Sequence, residues 1–121
     1  MDELMLLTFV LLFIKHYIVD FPWQTPEEIA GKGIYGNIAG IKHSLKHGFG
    51  TMLVFFVTGP HVTDAWILGL IDSVLHYHID WVKMRFGCRD ISQKAFWNQL
   101  GLDQLAHYLT YALLIWMVWV W

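Results

Sequence analysis

The sequence predicts an all-α polytopic membrane protein: four transmembrane helices in an up-down bundle, forming a single domain over residues 1–121. Three observations point there. Of 121 residues, 56% are hydrophobic; only 15% are charged, against about 25% in an average soluble domain; and apolar runs recur at Leu4 to Val19, Gly48 to Gly59, Ala65 to Trp81 and Leu105 to Trp121. A spanning helix needs about 20 residues. Each run reaches that length only with its flanking polar residues included.

The first element, over 3–20, begins Met-Asp-Glu-Leu. That start is acidic where a secretory signal is basic, and no small-residue cleavage site follows, so it reads as a retained helix. Pro22 and Pro26 break the chain after it. The second helix, 40–58, stops at Gly59-Pro60, and the third runs over 63–85. The polar stretch Gly87 to Asn98 reads as a loop, and Phe86 to Asn98 reads equally as an amphipathic segment lying on a membrane. The fourth helix, 100–120, ends in the aromatic string Trp116 to Trp121, a membrane anchor.

A length near 120 leaves no room for a separate catalytic domain. Eight Lys or Arg against ten Asp or Glu supply no general basic surface, which argues against a nucleic-acid partner. The single cysteine, Cys88, excludes an intramolecular disulfide and a thiolate metal cluster. Lys32, Lys42, Lys46, Lys83, Arg85, Arg89 and Lys94 all fall on one side of the expected bundle. The positive-inside rule then puts the long loops in the cytoplasm and both termini outside.

Seven His and seven Asp form five i, i+4 pairs: His16/Asp20, His43/His47, Asp72/His76, His76/Asp80 and Asp103/His107. That spacing stacks two side chains on one helix face. In an up-down bundle these pairs fall at one end, with His16, His47, His76 and His107 at one depth. Ionisable groups buried there cost a few kcal/mol each and need a common compensation. One or two divalent cations supply it, zinc first, with iron or manganese as alternatives. The expected ligands are His16, Asp20, His43, His47, His76, Asp80, Asp103 and His107, in a two-metal arrangement with a bridging carboxylate. Asp72, one turn deeper, orients an imidazole or makes a plain polar contact. His78 points away from His76 and reads as interfacial; His61 and Asp64 read as solvated or capping.

The strings His16-x3-Asp20-Phe21-x2-Gln24, His43-x3-His47, His76-x2-Ile79-Asp80-x2-Lys83 and Asp103-Gln104-x2-His107 together resemble a family of small bacterial and phage membrane proteins of unknown function. More distantly, they resemble the inner-membrane metal-dependent hydrolases. The resemblance implies ligand roles for the same eight residues, singles out Gln24, Lys83 and Gln104, and implies a bacterial inner-membrane location. Lys83 lies one turn from Asp80, where it meets a substrate phosphate or serves only as a positive-inside residue.

A His/Asp two-metal centre activates water and stabilises the attacking and leaving oxygens at phosphorus. The expected activity is therefore hydrolysis of a phosphoester in a membrane lipid or other amphiphile, with Lys83 and Lys32 offsetting its charge and Asp72 or Asp103 as general base. Two other classes stand beside it: a non-enzymatic membrane protein that handles metal or protons or binds a partner, as phage exclusion factors do, and a di-iron oxidase. The absence of Glu from the clusters counts against the last.

Overall fold

The computed structural model describes residues 2–121, which form five helices. They are α1 (Glu3–Asp20), α2 (Pro26–Gly31), α3 (Ile38–Thr58), α4 (Val62–Phe86) and α5 (Lys94–Trp119). The four long helices close into a ring in which α1 and α4 each pack against α3 and α5. The short α2 packs on α3.

Local chemistry accounts for most of the boundaries. The Asp2 carboxylate accepts from the Leu4 amide at 2.7 Å, capping α1. Asn37 does the same for α3 through the Ala39 amide at 2.9 Å. The helix absent from the sequence expectations, α2, carries a signal that was there to read. Thr25-Pro26-Glu27-Glu28 is a capping box with proline in the first turn, Thr25 Oγ1 accepting from the Glu28 amide and Glu28 Oε2 from the Thr25 amide. The last helix also begins earlier than expected. Lys94 to Asn98, read as loop or membrane-surface segment, is its first turn.

The expectation of four transmembrane helices is overturned. No helix among the described residues is long and apolar enough to cross a membrane. The long helices have the residues to do so, 18 to 26 each. What they lack is an uninterrupted apolar stretch, because the polar residues needed to lengthen each run recur within the helices: Lys15 and Asp20 in α1, Lys42 and Lys46 in α3, Asp72 and Asp80 in α4. The expected orientation presupposed those spans.

The bundle interior has two halves. Leu12, Met52, Phe55, Ala65, Leu68, Tyr111, Leu114 and Ile115 form an apolar core, closed by a Thr8 Oγ1 to Thr58 Oγ1 hydrogen bond of 2.7 Å. The other half is polar: His16, Asp20, His43, His47, His76, Asp80, Asp103 and His107 are all buried. Large apolar side chains such as Leu6, Val57, Trp66 and Leu70 face outward instead.

The closest helix contact lies beside the polar half. A Cβ on Gly48 would collide with Ser73 Oγ and stand 2.5 Å from the Gly69 carbonyl, while one on Gly69 would stand 2.6 Å from the Gly48 carbonyl. Only glycine permits this approach of α3 to α4. His47 precedes Gly48 and His76 lies one turn beyond Ser73, so the close approach brings these two imidazoles together. Gly48→Val is expected to destabilise the fold by about 1–3 kcal/mol through overpacking, read as a lower midpoint of chemical unfolding. An unchanged midpoint would show that the two backbones are not in contact.

Candidate metal centre

Each of the four long helices delivers its i, i+4 pair to one level of the bundle. The imidazoles of His43, His47 and His76 are 0% exposed, and all turn Nε2 toward the carboxylates of Asp20 and Asp80. His47 Nε2 lies 2.7 Å and His43 Nε2 3.0 Å from Asp20 Oδ1. His76 Nε2 and His107 Nε2 each lie 3.1 Å from an Asp80 oxygen. Cross-contacts tie the carboxylates together: His43 Nε2 is 3.5 Å from Asp80 Oδ2, and His76 Nε2 is 3.6 Å from Asp20 Oδ1. The rings themselves stack, His47 on His76 at 3.5 Å between centroids and His76 on His107 at 4.0 Å.

Two groups could hold a metal ion, each with its candidate ligand atoms within 4.8 Å of one another: Asp20, His43, His47 and His76, and His76, Asp80 and His107. The hydrogen-bond pattern of this layer fits that role. The Nδ1 atoms of His43 and His76 are buried without a hydrogen-bond partner, and His76 Nε2, Asp80 Oδ2 and Asp103 Oδ1 have only ion-pair neighbours, at 3.1, 3.3 and 3.4 Å. Buried polar atoms are nearly always satisfied, and imidazole nitrogens and carboxylate oxygens converging on a shared space are the chemistry of a cation site.

Charge balance points the same way. Three of the four buried aspartates have a lysine: Asp72 has Lys15 at 3.0 Å, Asp80 has Lys32 at 3.3 Å, and Asp103 has Lys83 at 3.2 Å. Among the described residues Asp20 pairs with imidazoles alone, those of His16, His43, His47 and His76. Burial works to raise the Asp20 pKa, but hydrogen bonds with His43 and His47 hold it well below the usual carboxylate range. Burial lowers the His76 imidazole to about 4 against the pull of Asp80. For His107 burial also works downward, yet its bonds to Asp103 and Asp80 outweigh it and lift the ring to about 9.

The remaining sequence-predicted residues surround these groups without joining them. His16 Nε2 is 3.2 Å from Asp20 Oδ2 but is shared with Gln104 Oε1 at 2.8 Å, and its Nδ1 is 2.7 Å from the Tyr111 hydroxyl. Asp103 holds Lys83 and accepts from Gln104 Nε2 at 3.0 Å, while its other oxygen lies 3.4 Å from His107 Nε2. Gln24 donates to the Asp20 carbonyl at 2.8 Å, fastening the end of α1 rather than the carboxylate. Asp72 is fixed by Lys15 and the Thr51 hydroxyl. As expected of a side chain outside the cluster, His78 bonds to Tyr35 on the exposed surface. His61 is the N-cap residue of α4 but makes no side-chain cap bond.

Lys15 and Tyr111 escaped the sequence reading. Lys15, 7% exposed, bonds to His47 Nδ1 at 3.1 Å, to Asp72, and to the Tyr111 hydroxyl at 3.0 Å. Its place in sequence, next to His16 and far from the other basic residues, was the available signal. α2 has its own part: Glu28, 1% exposed, binds Lys46 at 2.6 Å, and the helix ends at Lys32, which it delivers to Asp80.

Lys15→Met is expected to cost about 3–5 kcal/mol by leaving the Asp72 carboxylate buried and unpaired. Asp72→Leu added to it should recover most of the loss. If the two unfolding penalties simply add, the pair is not coupled as its geometry implies.

A family described as "Protein of unknown function (DUF3307)" matches residues 8–121, and the chain belongs to it. No curated protein and no solved structure matches.

Proposed function

We propose that this member of the family is a metal-dependent hydrolase of phosphoesters that works with two adjacent divalent ions. The observation that carries the reading is the division of six buried donors into two like sets. Asp20, His43 and His47 form one; Asp80, His76 and His107 form the other. His76 belongs to both candidate groups, but its Nε2 can serve one ion at a time. With His76 given to Asp80, each ion has two imidazoles and one carboxylate, and three protein ligands with an open position is the pattern of catalytic zinc. Ferrous iron takes the same two-imidazole, one-carboxylate set, so the donors admit zinc and iron alike.

Bound ions would lower the pKa of water and stabilise the attacking and leaving oxygens at phosphorus. The chain's own groups do the rest. Asp103 Oδ1, 3.4 Å from His107 Nε2, takes a proton from the attacking water as the water oxygen bonds to phosphorus. The P–O bond to the alcohol breaks, and the alkoxide takes that proton back from the Asp103 carboxyl. Lys83, held by the other Asp103 oxygen, offsets phosphate charge, and Lys32 does so from the Asp80 side. Asp72 serves as an anchor for Lys15 rather than as the base, since Lys15 and Thr51 already occupy it.

A second reading, a metal-holding protein without turnover, is favoured by the complete burial of His43, His47 and His76. In that case Asp20 and these three imidazoles close a four-ligand site around a single ion. Metal analysis of the purified chain separates the two: about two ions per chain with hydrolysis, about one without. His47→Ala and His76→Ala are expected to lose metal. Asp103→Asn should keep metal but lower kcat on p-nitrophenyl phosphate by about 10²–10⁴, the usual contribution of a general base. A metal-loaded protein that releases no phosphate from any phosphoester would end the hydrolase reading.

A further inference from the structure

α4 and α5 diverge at the loop end of the bundle and leave a cavity of about 510 Å³ between them. That size is typical of small-molecule sites. Ile79, Val82 and Phe86 of α4 and Leu102 and Ala106 of α5 make its walls, so they are almost wholly apolar. Four polar side chains interrupt them: His78, Lys83, Gln99 and Asp103. Lys83 brings the one ammonium, and Asp103 is 4% exposed. A second cavity of about 320 Å³ adjoins on the other side of Lys83 and is lined in part by Arg89.

We infer that this groove binds a single-chain phosphorylated amphiphile, its alkyl chain between α4 and α5 and its phosphate at Lys83. Continuity supplies the argument for that occupant. Asp103 belongs both to the groove lining and to the metal layer, 3.4 Å from His107 Nε2, so a phosphate at Lys83 stands beside the Asp80 set of ligands. An apolar wall leading to an ammonium complements a molecule with an apolar tail and an anionic head. Purely ionic ligands gain nothing from the five apolar side chains, and neutral alkanes gain nothing from Lys83. A volume of about 510 Å³ holds one medium-length alkyl phosphate, not the paired long chains of a bilayer lipid. The fate of the phosphate rests on the hydrolase reading, whereas occupancy of the groove does not.

The test is equilibrium binding of alkyl phosphates to the purified 121-residue chain, each kept below its micellar concentration. From hexyl to decyl phosphate, affinity should rise by about fourfold per methylene, the increment of a buried CH₂. Leu102→Trp, at a position already exposed, and Ala106→Trp fill the groove and should weaken decyl phosphate at least tenfold with metal content unchanged. Lys83→Met should weaken decyl phosphate but not decanol. Affinity independent of chain length in the wild-type chain would overturn the inference without recourse to any variant. So would undiminished binding in a folded Leu102→Trp protein, or binding of phosphatidic acid vesicles with none of decyl phosphate. Decyl phosphate bound in the groove but left intact would reject the hydrolase reading and leave the groove standing. Cleavage without chain-length preference would do the reverse.

Discussion

Four aspartates buried in one end of a small helical bundle are the constraint to which the rest of the structure answers. Removing a carboxylate from water costs several kcal/mol unless its charge is met at close range. Asp72, Asp80 and Asp103 are met by Lys15, Lys32 and Lys83, and each lysine comes from a different place in the chain. Lys15 projects from the same helix that carries Asp20. Lys32 is brought in by α2, whose capping box and Glu28–Lys46 pair fix a short segment with little core of its own. Lys83 reaches from one turn beyond Asp80 on α4. The fold is in large part a device for bringing three ammonium groups to three of four aspartates.

Asp20 is the remainder, and its partners decide what the site is. Imidazoles surround it, and a neutral imidazole offers a proton or a lone pair but no charge. Protonating them is opposed by burial, which pushes His47 well down and His76 to about 4. A divalent cation is the compensation that uses the lone pairs as they stand and supplies positive charge without titrating a ring. The same reasoning explains the glycine contact between α3 and α4. Stacking His47 on His76 at 3.5 Å requires backbones closer than side chains normally allow, and Gly48 against Gly69 permits it.

The polar layer was legible because helical spacing is rigid. Pairs four residues apart must share a face, and four such pairs near corresponding helix ends must meet if the helices alternate, which is how Asp20, His43, His47, His76, Asp80 and His107 were found together. Two kinds of information lay beyond that argument. Rotamers and partners are not set by spacing, so nothing separated His16, whose nitrogens are shared among Tyr111, Gln104 and Asp20, from His43, His47, His76 and His107, whose Nε2 atoms face carboxylates alone. Nor was Lys15 assigned any place, although its long stem lets its ammonium turn inward to Asp72. The membrane-spanning expectation failed for a related reason. Scarce charge and frequent apolar residues describe composition, whereas spanning depends on where the polar residues sit, and here they recur inside the helices.

The two ligand sets are alike in donors but not in surroundings, and that asymmetry gives the site a direction. His43 and His47, which flank Asp20, are fully enclosed, and Lys15, Thr51 and Asp72 back them from the core side. His107 and Asp80 stand beside Asp103, whose carboxylate reaches the groove between α4 and α5. All six donors are buried, Asp20 being the most exposed at 8%, so the sets differ by neighbour rather than by enclosure: an ion at the Asp80 set would stand beside Asp103 and a phosphate held by Lys83. On this reading the Asp20 set fixes charge and geometry, and the Asp80 set meets substrate. The cross-contacts His43 to Asp80 and His76 to Asp20 run between them.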